Sequence, residues 1–328
     1  MDIPESLPRR DENFCLPLFL DVHSYSSFYA RLQSELLIQH TGALSRPIRF
    51  FLQPVEYTFN MSANSKYASK LVGTRVLIIG GTAGIGLAVA EASVELGAAT
   101  VVISSSNADR INAAVSHLRK SYPATSCSIM GFPCDLKQEE LLEPNIAALF
   151  NASTSNGTEK LDHIVFTAGD HPIPRPISEI DFNFIKEAGL VRLFAPLLVA
   201  KHAAKHIAPG PMSSFTLTSG ISAYKPYPNW NAIGAYVSSS EGLTRSLAVE
   251  LKPLRVNLVC LGPVDTDLMT RFYPEPDERK AVLDAISQKV VTGAVGQVED
   301  VAEAFLYCMK DHNLSGSVIH SNAGMLLV

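Results

Sequence analysis

The sequence predicts a doubly wound α/β fold, a Rossmann-type parallel sheet of about seven strands with helices on both faces. Three observations predict it. From residue 75 onward, strand-like runs alternate with helical patterns, which is the cadence of a parallel sheet covered on both sides. Seven such runs follow one another with no internal repeat. Between the first run and the first helical pattern lies the glycine-rich turn Gly80-Gly81-Thr82-Ala83-Gly84-Ile85-Gly86.

Taken in order, the strands are expected at Val76–Ile79, Thr100–Ser104, Ser126–Met130, His163–Thr167, Ser214–Thr218, Arg255–Cys260 and Ser317–His320. Helical patterns lie near 85–96, 108–121, 138–150, 178–207, 236–252 and 298–310. Residues 1–60 differ from the remainder. They hold Pro4, Pro8, Pro17, Pro47 and Pro54 and sustain neither a helical nor an alternating period. The expectation is a poorly structured, dispensable extension before a single domain at 61–328; a small oligomerisation segment or substrate lid is the alternative.

Of 328 residues, 47% are apolar and 18% charged, enough for a packed core. The 27 Lys and Arg against 32 Asp and Glu leave a net charge of −5 with no basic block. A nucleic-acid partner is therefore not expected. Cys15, Cys127, Cys134, Cys260 and Cys308 show no paired-ligand spacing, which fits a reduced cytoplasmic setting and no metal site. No apolar run approaches the ~20 residues of a membrane-spanning helix. The expected partner is a small-molecule substrate, with a homodimer or homotetramer left open.

In the glycine turn, small residues allow a tight bend and let the backbone approach a pyrophosphate. The helix that follows offers free N–H groups and a partial positive charge. Gly80, Thr82, Gly84, Ile85 and Gly86 are thus the candidate dinucleotide cradle, with a purely structural turn as the plain alternative.

The spacing Gly80-x-x-x-Gly84-Ile85-Gly86 resembles the cofactor motif of the short-chain dehydrogenase/reductase family, and five further motifs follow in that family's order. The resemblance implies that Asp135 pairs with the adenine amino group. It also makes Thr167-Ala168-Gly169 a variant of the Asn-Asn-Ala-Gly turn, placing Ala168 and Gly169 beside the cofactor. In Asn257–Thr266, it assigns Gly262, Val264 and Thr266 to the nicotinamide.

The end of the second strand bears on which dinucleotide is bound. An NAD site puts a carboxylate there for the ribose 2′-hydroxyl. This chain has Ser104, Ser105, Ser106 and Asn107, with no acid before Asp109. Hydroxyls, an amide and helix N–H groups suit a 2′-phosphate, so NADP(H) is expected. The same residues can also cap the next helix, and Arg110 can add charge or face solvent.

The family's chemistry uses Ser, Tyr and Lys with an Asn behind them. Ser219 and Tyr236 match the first two; the lysine position is Ser240 and the asparagine position Arg192. Ser240 can still bond a ribose hydroxyl but brings no charge to stabilise a phenolate. Alcohol oxidation, which needs a base there, is disfavoured, while a neutral phenol can still donate a proton. Arg192 brings a permanent cation that can stabilise an oxyanion or seat the cofactor, or can simply pair with a carboxylate on a neighbouring helix. The combination is similar to a fungal branch of the family found with secondary-metabolite pathways, which also carries the Val191-Arg192 and Asn229-Trp230 segments. Trp230 would then line a substrate mouth, or else pack on the core.

His202 and His206 have metal-pair spacing but lysine neighbours and no acidic third ligand, so they read as a solvated helix face. Cys127 and Cys134 read as buried thiols, and His171 as the one histidine near the Ala168-Gly169 turn that can reach the site. The expected activity is NADPH-dependent reduction of a ketone, an imine or iminium, or a conjugated bond of a bulky intermediate. A non-redox isomerase, dehydratase or cyclase and a nucleotide-binding scaffold are the alternatives.

Overall fold

The computed structural model describes residues 66–328; Cys15 and the expectation for residues 1–60 lie outside them. Seven parallel strands form one sheet: β1 (Arg75–Ile79), β2 (Thr100–Ser105), β3 (Ser128–Pro133), β4 (His163–Phe166), β5 (Ser214–Gly220), β6 (Arg255–Leu261) and β7 (Val318–Ser321). Their order is β3-β2-β1-β4-β5-β6-β7, so the winding reverses between β1 and β4. Crevices for ligands open at such reversals, beyond the carboxyl ends of the strands.

The helices are α1 (Gly84–Glu95), α2 (Ala108–Ser121), α3 (Leu142–Ser153), α4 (Phe182–Gly189), α5 (Ala195–His206), α6 (Asn231–Glu250), α7 (Asp267–Phe272), α8 (Pro276–Ser287) and α9 (Val298–Lys310). Both faces of the sheet are buried. Leu77 and Ile79 of β1 join a core with residues of α3, α5 and α6 such as Phe150, Val199 and Leu247. The alternate residues Val76 and Ile78 join a second core with Val89 of α1, Leu118 of α2 and Phe305 of α9. Period-two alternation thus distributes one apolar strand between two layers.

The expected strands are all present. β3 begins two residues late because Thr125 turns the chain back, accepting from the Cys127 N–H at 3.1 Å. β3 also runs on to Pro133, which an edge strand tolerates. The single helix expected over 178–207 is instead α4, a π-helical turn at Leu190–Phe194, and α5. Pro196, in the first turn of α5, has no N–H for the carbonyl four residues back. The Ala195 N–H meanwhile bonds the Leu190 carbonyl, the wider reach of a π-turn. α7 and α8 were not expected. α8 buries no residue and so shows no apolar stripe, although Pro276 and the first-turn Asp277 and Glu278 mark its start.

The buried polar side chains of this frame include Arg255 and His163. Arg255 is 3% exposed and donates to the carbonyls of Pro211 at 2.6 Å, Cys308 at 2.6 Å and Met309 at 2.8 Å. It thereby satisfies the last turn of α9. His163 is 2% exposed, with Nδ1 2.9 Å from Ser214 Oγ. Burial, with Arg255 and His312 adding repulsion, lowers its pKa from 6.5 to about 3.

Between those two values the unfolded chain binds a proton that the folded chain refuses. Stability therefore falls as pH drops from 6.5 toward about 3, by up to about 1.4 kcal/mol per pH unit from this group. His163→Gln should flatten the slope by that amount, measured by urea unfolding at several pH values. A wild-type minus variant difference that does not change with pH would contradict the assignment.

Candidate active site

The site is built where β1 and β4 diverge. Gly80 has φ +97°, and a Cβ there would lie 2.5 Å from Ala168 N and 2.8 Å from the Thr167 carbonyl carbon. At Gly86 a Cβ would collide with the Gly80 carbonyl and lie 2.5 Å from Thr167 Oγ1. Only glycine lets strand end, helix start and β4 turn meet this closely. The bend hangs from β2 through Gly80 and Gly81 N–H groups donating to the Ser104 carbonyl, at 2.9 and 3.2 Å.

α1 starts with Ala83 as its cap, which makes no side-chain hydrogen bond, and has no acid in its first turn. Its first N–H groups and positive end are therefore left for an anion. Thr82, Gly84 and Ile85 are half-buried on the turn. Opposite them, the Thr266 methyl would be 3.5 Å from a Cβ on Gly84. The Gly262–Thr266 segment is held by Gly262 N–H on the Ser321 carbonyl at 2.9 Å, by a bridge from Val264 to Gly296, and by an Asp265–Arg279 ion pair to α8. A donor-rich cradle facing this segment suits the pyrophosphate and nicotinamide ends of a dinucleotide.

The serine run is not one surface. Ser104 is fully buried, its Oγ finding no partner among the described residues, and it serves the turn through its carbonyl. The expectation that its hydroxyl contacts the cofactor's phosphate is corrected: strand alternation turns it into the sheet. Ser105 is half-buried, while Ser106 and Asn107 are exposed. Asn107 caps α2 by accepting from the Arg110 N–H at 2.9 Å, and Arg110 Nη2 folds back to 3.4 Å from Ser106 Oγ. Capping and a cation at the strand end coexist. Asp135 accepts from Lys137 N–H at 3.0 Å and Gln138 Nε2 at 2.8 Å, which fixes its carboxylate at the rim.

Tyr236 packs on the segment that carries Arg192. A Cβ on Gly189 would be 2.6 Å from Tyr236 Cζ and 2.9 Å from its hydroxyl, so the phenol end lies on Gly189, three residues before Arg192. Phe194 adds an edge contact with ring centroids 6.0 Å apart. Arg192 Nη1 is 2.5 Å from Asp170 Oδ1, with the two side chains 14% and 13% exposed. The carboxylate it meets follows Gly169 on the loop after β4 rather than lying on a helix. Ser219 is buried and donates to the Val237 carbonyl at 3.0 Å, which ties β5 to α6. Ser240 is also buried, its Oγ 3.5 Å from the Tyr236 carbonyl on its own helix.

A cavity of about 300 Å³ is lined by Lys137, Asp170, His171, Glu187, Arg192 and Ile233 among others. Asp170 was missed by the sequence reading, although its place directly after Thr167-Ala168-Gly169 was a usable signal. His171 does reach this cavity, with its ring 4.4 Å from that of Phe272 of α7. Trp230 is half-buried ahead of α6 and meets Tyr227 edge-on at 5.2 Å, on a loop where Asn229 has φ +64°.

The histidine pair is not a solvated face. His202 is 15% exposed, stacked 5.7 Å from Phe150, with Nε2 4.0 Å from Glu143. His206 Nδ1 is 2.9 Å from the His202 carbonyl. Among the described residues no cluster could hold a metal ion, and no helix is long and apolar enough to cross a membrane. Cys134 is buried as expected, its thiol pushed up to about 12 mainly by burial, whereas Cys127 is only half-buried because the strand starts after it.

Residues 67–328 match a family model described as an SDR-like Rossmann domain. The chain is 40% identical over 267 residues to the short-chain dehydrogenase/reductase fsr5 of Gibberella fujikuroi, an alignment covering 81% of this chain and 100% of that one. It is also 40% identical over 268 residues to the short-chain dehydrogenase/reductase malC of Malbranchea aurantiaca, again covering 81% and 100%. The solved structure of the MalC reductase/Diels-Alderase from that organism superposes with a TM-score of 0.75, over 80% of this chain and 100% of that one.

The Gly189 contact gives a test of the local geometry. Gly189→Ala should destabilise by about 1–3 kcal/mol through overpacking against the phenol, read by denaturant unfolding. In a Tyr236→Ala background the same change should be neutral or favourable, since alanine is the better helix former. Equal effects in both backgrounds would break the proposed contact.

Proposed function

Because the chain belongs to the short-chain dehydrogenase/reductase family of nicotinamide-dependent oxidoreductases, we propose that it is an NADPH-dependent reductase of a ketone, an imine or iminium, or a conjugated bond in a bulky secondary-metabolite intermediate. The observation that carries this reading is that one short segment seats the Tyr236 phenol at Gly189 and carries the guanidinium of Arg192 three residues on, with no lysine at position 240.

The bound dinucleotide supplies hydride. The N–H groups at the start of α1 hold its pyrophosphate, and Gly80 and Gly86 let α1 sit close enough to the strand ends to present them. Ser105, Ser106, Asn107 and Arg110 hold the 2′-phosphate, Asp135 and the Ala168-Gly169 turn flank the adenosine half, and Gly262, Val264 and Thr266 flank the nicotinamide. Tyr236 gives a proton from its neutral hydroxyl to the substrate's oxygen or nitrogen. Arg192 stabilises negative charge that grows on that atom. Ser219 locks β5 to the tyrosine helix, and Ser240 brings no charge where the family's lysine would stand, which disfavours alcohol oxidation. Trp230 offers a flat face at the mouth.

A second reading, a non-redox cyclisation or isomerisation in the same crevice, is favoured by one observation. The Ser219 hydroxyl donates to the Val237 carbonyl at 3.0 Å, so polarising a carbonyl substrate would require it to give up that bond. The relative described as both a reductase and a Diels-Alderase lends it support. NADPH consumption measured beside product mass separates the two. A gain of two hydrogens, or of one hydride on an iminium cation, means reduction, and an unchanged mass without NADPH loss means rearrangement.

NADPH should bind at least about tenfold tighter than NADH in a nicotinamide-fluorescence titration, because no carboxylate opposes a 2′-phosphate. Ser105→Asp should swing the preference toward NADH, and Arg110→Ala should weaken NADPH alone. Equal wild-type affinities would remove NADPH selectivity from the proposal.

The catalytic roles are tested by turnover. With an iminium substrate Tyr236→Phe should cost under about tenfold, because hydride delivery needs no concurrent proton, and with a ketone about a hundredfold or more. Arg192→Ala should be severe with either, and Arg192→Lys should restore only part, lacking the planar fork. Normal turnover in Arg192→Ala would return that residue to a structural role.

A further inference from the structure

We propose that Asp170 is the positioning residue of this site, acting through Arg192 so that the two side chains work as one oriented pair. This rests on the reductase reading of Arg192. The guanidinium is carried on a π-turn by a long side chain that, left alone, has about 2 kcal/mol of rotamer entropy to lose. Three contacts remove that freedom. Nη1 is 2.5 Å from Asp170 Oδ1 and donates to the Ala188 carbonyl at 3.1 Å, and Nη2 donates to the Asp170 carbonyl at 3.3 Å. Two of the three come from Asp170, one through its side chain and one through its backbone.

Asp170 is itself anchored. It lies two residues beyond Ala168, whose backbone N sits where a Cβ on Gly80 would be 2.5 Å away. The carboxylate is thus a short extension of the closely packed β4 end, and it reaches across to the segment on which Tyr236 rests. With both side chains about six-sevenths buried, the pair is less screened than a surface ion pair. Removing one partner leaves the other charge buried without compensation. Among the described residues no acceptor meets Arg192 Nε, which leaves that edge of the fork for a ligand. Both residues line the same 300 Å³ cavity.

Pairing also changes what Arg192 offers the crevice. A lone guanidinium would present a net positive charge to any anion. Held against Asp170 it presents a fixed direction of donation with little net charge, which suits an oxygen that becomes negative only as the reaction proceeds.

The test combines labelling with a double-mutant cycle on the full chain. Asp170→Asn keeps the shape and removes the charge. It should raise phenylglyoxal labelling of Arg192, followed by peptide mass, about fivefold or more by freeing the guanidinium. Buried Arg255 should remain unlabelled in the same sample as the control for unfolding. Asp170→Ala should lower kcat at least about tenfold in the wild-type background and under about twofold in Arg192→Ala, with KM for NADPH nearly unchanged. Unchanged Arg192 labelling in Asp170→Asn, or kcat losses that multiply across the two sites, would overturn the proposal. Should no substrate consume NADPH, the reductase reading fails by itself. Labelling, repeated with bound NADPH, then still decides whether Asp170 holds Arg192.

Discussion

The arrangement of this protein depends on how closely α1 can approach the end of β1. Gly86 sits against the Gly80 carbonyl, and Gly80 against the Ala168 backbone, at separations that exclude any side chain. That crowding fixes three things at once. It sets the angle at which α1 leaves the sheet and keeps the helix's first N–H groups pointed into the crevice. It also determines where the β4 turn ends, and therefore where Asp170 begins. The carbonyl of buried Ser104 holds the same bend from the other side. The glycine cradle and the Asp170–Arg192 edge of the crevice are thus consequences of one packing constraint.

The site's charge follows a different logic from the one the family resemblance implies. Where a lysine would bring a mobile ammonium beside the tyrosine, Ser240 is buried and turned onto its own helix. The cation arrives from another element, on a π-turn, already matched by a carboxylate. Paired in this way, the guanidinium presents less net charge than a free ammonium, yet it still donates hydrogen bonds. In the proposed reduction, proton donation and oxyanion stabilisation therefore fall to two different residues.

Most of the fold was legible because each strand is apolar and each loop polar, and because the glycine turn permits few other conformations. Arg192 stood out as a substitution at a motif position. Its partner did not, since Asp170 is one acid among many until the turn before it is folded. Ser104 was misread because a run of serines hides the alternation that sends one of them inward. The stretch 178–207 reads as one helical period unless Pro196 inside it, which marks the end of the π-turn, is used as a break. α7 and α8 bury too little to show a stripe, and His202 looked solvated because the lysines beside it say nothing about the Phe150 face it packs on.

The π-turn also makes chain length itself part of the site. Upstream of it, Gly189 is pinned beneath Tyr236; downstream, Ala195, Val199 and Ala203 are locked into the core beneath the sheet. Deleting one residue between them would restore an ordinary helix but rotate one half against the other by roughly 100°. Either the phenol would lose its seat or α5 would turn its apolar stripe to solvent. The segment can therefore exchange side chains far more readily than it can gain or lose a residue, and its five positions act as a spacer of fixed count.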